Sequence, residues 1–545
     1  MTLFYKNLIN RLLNLIAIVC IASFAYSALS NIHYIDSMAN PDIIQFIFDG
    51  RIYKNFSLPE NIHASPAFPI LLAIVNIFIP KSVEFSELLA ARYINIISIT
   101  VSLFLVYEIS KKYTNNLIAL ATLLLCISHP WTFLMAVGDY SESLFTLAIL
   151  VSFLFLSTKK YCFYSLPVAG LSFLIRNEGL ILFFALFSVF SFYPTTTKAT
   201  IIDWIKRIKK ILLTKSFLIG IGLILGWFLI LFINNIYTFN SKNWSELKYG
   251  YYFFHEISDR RADIPELRFI STLSEYAVSI ARYDKSKINS WETILGISVF
   301  LLLSMNYFII KKRIVKVTSI FIVGYLLLHV GFPAFDHRYF FPILYALYLN
   351  IVVSIRNVYL KNDTRYTRLV GNLFVILIIF LTIYSHLSSE QKVEYSKYVQ
   401  YQNSSHKNAA SLIDTNSNLL SNQIDIYSFL PWHISFFMEL GTVKNDGENW
   451  TSDWITDELG NTQQRFTNGV KTVTFYDLHL LKNSNCLDIA CFNTHYKNDE
   501  SDTLIIRTFL DNELDFADIT SMHQPYFSQD EYLKNLQIYY FPKID

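Results

Sequence analysis

The sequence predicts an α-helical polytopic membrane protein with about eleven transmembrane helices and an α/β domain at its C-terminal end. Hydrophobic residues make up 53% of the 545 positions and charged residues only 16%, whereas roughly a quarter of the residues in soluble proteins are charged. The apolar residues are gathered in blocks, and the basic residues cluster in alternate connections between them. The net charge of +2 gives no indication of a nucleic-acid partner.

Eleven apolar runs are candidates to cross a bilayer core about 30 Å thick, which needs about 20 apolar residues for each helix. They are residues 12–30, 93–110, 116–134, 142–157, 162–175, 178–193, 216–236, 292–310, 317–333, 339–355 and 369–386. With the N-terminus inside, every connection that is rich in Lys and Arg faces the cytoplasm, in agreement with the positive-inside rule. These basic clusters begin at Lys6, Lys111, Lys159, Lys198, Lys311 and Arg356.

This topology depends on how two short regions are interpreted. The run 66–80 is shorter than a span requires and fits an interfacial or re-entrant segment on the outer face. Counting it as a span would place every later basic connection outside. The runs 162–175 and 178–193 are separated only by Arg176 and Asn177. They are counted as two helices, because a single kinked insertion would also break the charge pattern.

The outer face then receives the first loop, residues 31–91 with juxtamembrane helices, the loop 237–291, and the polar segment 387–545. That last segment is long enough for an independent domain. Strand-like runs at 425–429 and 471–476, with an amphipathic helix around Trp432–Leu440, predict a small α/β domain. The predicted domains are therefore a transmembrane module, residues 1–386, and an extracytoplasmic domain, residues 387–545.

The first outer loop offers a candidate general base. Asp42, Phe46 and Asp49 lie on one face at helical spacing, and a carboxylate just outside the first span can accept a proton from an incoming hydroxyl. Alternatively, Asp42 only caps a juxtamembrane helix. Asp36 is a rival base closer to the first span.

Two further outer turns carry ionisable residues, which are costly at a membrane and often mark functional sites. The turn GDYSESLF holds Asp139 and Glu142, which could equally stabilise a helix N-terminus. The segment LSFLIRNEGLILFF holds Arg176 and Glu178, which would not face each other on a helix. These two lie either in a break between half-spans or in an ordinary outer turn.

The segment FPAFDHRYFFPIL places Asp336, His337, Arg338 and Tyr339 at the outer end of a span. A guanidinium at that depth suits bidentate contact with a phosphate. It could also form a salt bridge with Asp336 or extend toward lipid headgroups, and a lone histidine such as His337 is more often structural than catalytic.

The order of these features resembles the polytopic glycosyltransferases of the GT-C superfamily. The most similar branch contains the protein O-mannosyltransferases and the bacterial aminoarabinose lipid A transferases. The matching pieces cover residues 30–350 in the order of the family. They are an acid followed by an aromatic residue (Asp42, Phe46), then ASPAFPILLA, AARYINIISI, GDYSESLFTL, LIRNEGL and DHRYFFPIL.

The resemblance implies a sugar donor carried on polyprenyl phosphate, an outer-face reaction and an acceptor hydroxyl. Asp42 matches the acid that acts as base, and Glu142, or alternatively Asp139, matches a second-loop acid. Arg338 would bind the donor phosphate. The chain lacks the Asp-Glu doublet that many members show, which leaves the choice between Asp42 and Asp36 open. Further candidates for the phosphate are Tyr339, His337 and Arg176.

A cation near the leaving phosphate would lower the barrier to C–O cleavage, and a single displacement would invert the anomeric centre. No cofactor is predicted with certainty, although Asp42 and Glu142 could hold one divalent cation. The acceptor would be a glycan, a lipid or a protein. The predicted location is a bacterial inner membrane, with the active site and the C-terminal domain in the periplasm. The alternatives are an outer-face polysaccharide polymerase or ligase, and a non-enzymatic transporter or scaffold.

Overall fold

The computed structural model describes part of the chain, and contacts between Cα atoms divide it into two units. One unit holds Met1–His33 and Asp49–Lys392, and the other holds Tyr34–Phe48 and Val393–Asp545. Residues 369–386, nearly all of the loop 237–291 and the predicted helix around Trp432–Leu440 lie outside the described residues. Those described are 2–32, 42–57, 65–80, 86–192, 200–239, 303, 305–329, 337–359, 413, 421–428, 451–456, 462–467, 470–477, 501–508 and 536–541.

The first unit is helical throughout its described residues, apart from short turns. Helix α2 begins in the other unit and continues into this one. The helices are α1 (Thr2–Ser30), α2 (Asp42–Lys54), α3 (Ala67–Asn76), α4 (Ser86–Tyr113), α5 (Asn116–Ser128), α6 (Pro130–Val137), α7 (Ser141–Leu156), α8 (Ser165–Ile175), α9 (Gly179–Phe192), α10 (Ile201–Leu212), α11 (Lys215–Phe239), α12 (Arg313–His329) and α13 (Phe341–Tyr359). Two 3-10 turns, Cys162–Tyr164 and His337–Phe340, precede α8 and α13.

Within the described residues, three helical stretches are long and apolar enough to cross a membrane: Asn7–Ser30, Ser86–Tyr113 and Lys215–Ile233. Helices α7, α8, α9 and α13 are apolar but shorter. The predicted helical, strongly apolar architecture is therefore confirmed, while the number of eleven spans stays a prediction. Helix α3 has 10 residues, about half of what a straight span needs.

The apolar run 116–134 does not form one continuous helix. It is divided into α5 and α6, whose axes differ by 65°. Pro130 has no backbone N–H and disfavours a helical conformation at the residue before it, and His129 is accordingly extended. The ring of His129 accepts a hydrogen bond from the Trp131 backbone amide and so caps α6.

Helices α8 and α9 form an antiparallel pair, as predicted for two separate helices. At one end, the rings of Phe163 and Phe190 lie 4.9 Å apart. At the other end, a Cβ atom built on Gly179 would lie 2.3 Å from the backbone nitrogen of Phe173. Only glycine allows this close approach, so Gly179 makes the tight reversal of the chain possible.

Basic residues gather at one end of the helices. The Lys112 ammonium at the end of α4 donates to the Thr158 hydroxyl after α7, at 3.2 Å. Arg313, which begins α12, lies beside the sulfur of Cys162 just before α8. The start of α7, the end of α8 and the end of α12 therefore lie at the opposite end of these helices.

The second unit contains a six-stranded sheet with strand order β2-β3-β4-β1-β5-β6. Strands β4, β1 and β5 are parallel, and the outer strands pair antiparallel. Ile426 and Phe475 lie in its buried core. The predicted strands at 425–429 and 471–476 are confirmed as β1 and β4. The strands are β1 (Gln423–Ser428), β2 (Thr451–Thr456), β3 (Thr462–Thr467), β4 (Thr472–Asp477), β5 (Asp502–Thr508) and β6 (Leu536–Phe541).

Candidate active site

Two buried carboxylates lie at the connection of α6 to α7: Asp139 in the turn between the helices and Glu142 in the first turn of α7, which are 0% and 1% exposed. The buried Asn95 side chain of α4 donates to the carbonyl of Gly138 at 2.8 Å and so fixes the turn from outside. The Ser143 hydroxyl donates to the Met135 carbonyl at 2.7 Å, which joins α7 to α6. The sequence-predicted acids are thus set on a rigid turn.

The guanidinium of Arg176 forms ion pairs with Glu142 and Glu178. Its Nη1 atom lies 2.7 Å from a carboxylate oxygen of Glu142, and its Nη2 atom lies 2.8 Å from Glu178. Nη1 also donates to the Ser141 hydroxyl at 3.2 Å. Because Glu142 lies in the first turn of α7, the positive end of the helix dipole adds to the stabilisation of its negative charge.

Arg176 and Glu178 do pair, contrary to the expectation for two residues that share a helix. Helix α8 ends at Ile175 and α9 begins at Gly179, so both side chains belong to the turn between the helices. Asn177, between them, accepts a hydrogen bond from the Ser65 hydroxyl at 3.2 Å. The segment that leads into α3 is therefore tied directly to this turn.

The segment DHRYFFPIL also contacts the Arg176 guanidinium, through Tyr339. The Arg176 guanidinium carbon lies 5.6 Å from the centroid of the Tyr339 ring, within the range of a cation–π contact. Three segments that are distant in sequence, GDYSESLF, LIRNEGL and DHRYFFPIL, therefore meet in one cluster. This charge cluster, defined as Glu142, Arg176, Glu178 and Tyr339, lies at the end opposite the basic residues.

The structure does not bring all of the candidate residues together in its described part. Asp42 begins α2, where both the capping and the base interpretations place it, but its side chain lies outside the described residues. The same holds for the side chains of His337 and Arg338, which are in the same 3-10 turn as Tyr339. Asp36 and Asp336 lie outside the described residues entirely.

Two buried ionisable residues, Asp49 and Arg92, are not among the predicted site residues. Asp49 in α2 is 1% exposed, and the following Gly50 approaches α3 so closely that an added Cβ would lie 2.8 Å from the Pro69 carbonyl oxygen. Arg92 in α4 is 2% exposed, and it donates to the Ile32 carbonyl at 3.2 Å. The signal for Arg92 was present in AARYINIISI, where an arginine opens an apolar run.

The Arg176 guanidinium forms its hydrogen bonds and ion pairs within the charge cluster and with Ser141. Its guanidinium donates to two carboxylates and a hydroxyl, so its principal donors are engaged within the protein. One positive charge faces two negative ones, and the cluster as a whole is acidic when Glu142 and Glu178 are ionised. Among the described residues, no group of three His, Cys, Asp or Glu side chains could hold a metal ion.

Comparison with solved structures shows the fold. ArnT from Cupriavidus metallidurans in the apo state matches with a TM-score of 0.51 at 9% identity, over 95% of this chain and 97% of that one. The same protein bound to undecaprenyl phosphate matches with a TM-score of 0.48 at 9% identity, over 96% and 97%. The oligosaccharyltransferase of Archaeoglobus fulgidus in the apo form gives 0.40 at 10% identity, over 75% of this chain and 63% of that one.

The first of these likenesses shows that this chain has the fold of ArnT, and the two lower scores add nothing to that conclusion. The resemblance predicted from the sequence motifs is thereby confirmed at the level of the fold. No protein-family model matches the chain, and no curated protein matches it.

Proposed function

We propose that this chain is a membrane glycosyltransferase that moves a sugar from a polyprenyl-phosphate donor to an acceptor hydroxyl. The observation that carries the proposal is the convergence of three separate motif segments on one largely buried charge cluster, in a chain with the fold of ArnT. ArnT itself has been solved with undecaprenyl phosphate. The reaction takes place at the end opposite the lysines, which the positive-inside rule assigns to the outer, periplasmic face.

In the proposed reaction, the acceptor oxygen attacks the anomeric carbon while the bond from that carbon to the phosphate oxygen breaks. The electron pair leaves with the polyprenyl phosphate, and the configuration of the sugar inverts. Asp42 takes the proton of the acceptor hydroxyl. Arg338 stabilises the charge that develops on the leaving phosphate, assisted by His337 and Tyr339, which share its turn.

In this proposal the charge cluster has a supporting role. Arg176 acts as a positioning residue, because its donors hold Glu142 and Glu178 rather than remaining available for a phosphate. Glu142, or alternatively the neighbouring Asp139, supplies the second acid of the site. Either acid would hold the donor and the acceptor in the geometry of attack. Positioning of this kind can by itself increase the reaction rate strongly.

The purified full-length protein, reconstituted in vesicles, tests the proposal with a polyprenyl-phosphate sugar as donor. Asp42→Asn should lower the transfer rate by about 100-fold or more, as expected for the loss of a general base, and Glu142→Gln should also lower it. Glu108→Gln is the matched control, because Glu108 pairs with Lys111 at the basic end. Full activity in Asp42→Asn, or an equal loss in the control, would contradict the assignment.

Deletion of the gene in its host identifies the substrates. Mass spectrometry should show one polyprenyl-phosphate sugar that accumulates and one glycan, lipid or protein modification that disappears. A host in which no lipid-linked sugar changes would exclude the glycosyltransferase. A polymerase or ligase of the outer face predicts the reverse mutational pattern, with loss in Arg338→Lys and tolerance of Asp42→Asn.

A further inference from the structure

Helix α10 connects the basic end of the bundle to a membrane-spanning helix. It packs against α9 and α11, and only Leu213 and Thr214 separate it from α11. Because the stretch Lys215–Ile233 of α11 is long and apolar enough to cross a membrane, α10 ends where that span begins. Its depth is therefore that of the boundary between hydrocarbon and water.

One side of α10 is fixed against the protein. The Trp204 ring meets the Phe192 ring of α9 edge-on, with their centroids 6.1 Å apart. Ile211, two turns further along, is 4% exposed. These contacts hold the helix in place, and they account for only part of its apolar surface.

A second flank of α10 is apolar and exposed. Ile202 and Ile205 are 63% and 60% exposed, and Leu213, directly after the helix, is 69% exposed. Ile202 and Ile205 are three residues apart and therefore neighbours on the helix surface. An apolar flank of this kind, at the start of a span, is suited to the acyl-chain region just below the headgroups.

The remaining surface of α10 is strongly basic, with Lys206, Arg207, Lys209 and Lys210 within five positions. The one acidic residue of the helix, Asp203, is used locally. It accepts hydrogen bonds from the backbone amide and the hydroxyl of Thr200, which forms a capping box at the helix N-terminus. Lys206, Lys209 and Lys210 are exposed to water or headgroups beside the apolar flank, whereas Arg207 is half-buried.

From this arrangement we infer that α10 is a binding surface for anionic phospholipids at the basic end of the protein. The exposed flank enters the acyl boundary, and the basic side chains contact the headgroup phosphates. Lysine and arginine favour this position because their apolar stems can remain in the acyl region while the charge reaches the phosphate. The charge of the helix selects anionic over zwitterionic lipids.

Native mass spectrometry of the full-length protein tests the inference, with phosphatidylglycerol and phosphatidylcholine as probes in mixed micelles. Lys209→Gln/Lys210→Gln should weaken the binding of phosphatidylglycerol by about fivefold for each charge removed, while phosphatidylcholine binding stays unchanged. Lys159→Gln/Lys160→Gln removes the same charge from an exposed turn at the same end, and it should have a much smaller effect.

Each of the other outcomes overturns the inference. Unchanged phosphatidylglycerol binding in the α10 variant would mean that another partner, such as an acidic protein, covers the helix. An equal loss in the Lys159 and Lys160 variant would mean that the whole basic end attracts anionic lipid without a specific surface. Ile202→Ser/Ile205→Ser supplies a second arm: it should lower binding of both lipids, and binding equal to that of the unmodified protein would exclude insertion of the apolar flank.

Discussion

The ion pair between Arg176 and Glu142 should be among the strongest polar couplings in the described part of the chain. The single variants Arg176→Gln and Glu142→Gln and the double variant form a double-mutant cycle. This cycle isolates the coupling energy between the two side chains. The pair joins the first turn of α7 to the turn between α8 and α9. Arg176 Nη1 lies 2.7 Å from Glu142 Oε1, and the two side chains are 15% and 1% exposed. Water is largely excluded from the carboxylate of Glu142.

The expected size follows from this geometry. At that separation, two unit charges attract by about 6 kcal/mol at an effective dielectric constant of about 20, against about 1.5 kcal/mol in bulk water. Desolvation of both groups offsets much of this attraction. Removal of one partner from a buried pair costs about 3–5 kcal/mol, because the other charge remains buried. We therefore expect Arg176→Gln to fall in that range and the coupling energy to be about 2–3 kcal/mol.

The unfolding free energy of the full-length protein, measured by titration with sodium dodecyl sulfate in mixed micelles, provides the assay. The Lys111 and Glu108 pair is the matched control. It has a similar separation of 2.9 Å, but its side chains are 31% and 35% exposed, so its coupling should be below about 0.5 kcal/mol. A coupling for the Arg176 pair no larger than that of the control would refute the argument from burial.

Three further predictions follow from packing and charge. Asn350 accepts a hydrogen bond from Asn306, and its two amide N–H groups are shared among three buried oxygen atoms within hydrogen-bond distance. Asn350→Leu should therefore lower the unfolding free energy in the same titration by about 1–3 kcal/mol. A Cβ on Gly170 would lie 2.5 Å from the Gly220 carbonyl oxygen, so Gly170→Ala should destabilise the contact between α8 and α11 by about 1–3 kcal/mol. Gly222→Ala is the control and should not destabilise it, because a Cβ on Gly222 would meet nothing within 4 Å. Burial raises the pKa of Asp425 above its ordinary value of 3.8. The contribution of this carboxyl group to the unfolding free energy is therefore fully present below that value and is lost as the pH rises through the raised pKa. Hydrogen exchange of strand β1 should show Asp425→Asn gaining protection relative to the unmodified protein as the pH rises, and a constant difference would contradict this.

Much of the fold follows from local sequence patterns. Apolar blocks of sufficient length predicted the helices, and alternation of β-forming residues predicted β1 and β4, because both signals depend only on neighbours along the chain. The break in the run 116–134 also had a local cause, Pro130, but apolarity alone concealed it. The number of spans depends on segments such as 369–386 that lie outside the described residues, and it stays a prediction.

The candidate site was predictable only in its components. Asp139, Glu142, Arg176 and Tyr339 were each identified from position and chemistry, but each had a structural alternative that sequence could not exclude. Arg176 and Glu178 were expected in a break between half-spans or in an outer turn, and the turn between α8 and α9 holds them; their pairing could not be predicted, because two residues at that spacing would not face each other on a helix.

The sequence by itself determined that the chain is rich in apolar helices with basic residues in alternate connections, because hydropathy and charge are properties of the residues alone. Only the tertiary structure decided which charges meet. Arg176 reaches Glu142 across a gap of 34 positions and Tyr339 across 163, and contacts at such separations depend on how the helices pack. These contacts with Glu142 and Glu178 are the basis for proposing that Arg176 supports the two carboxylates, while its assignment as a ligand of the donor phosphate stays a prediction.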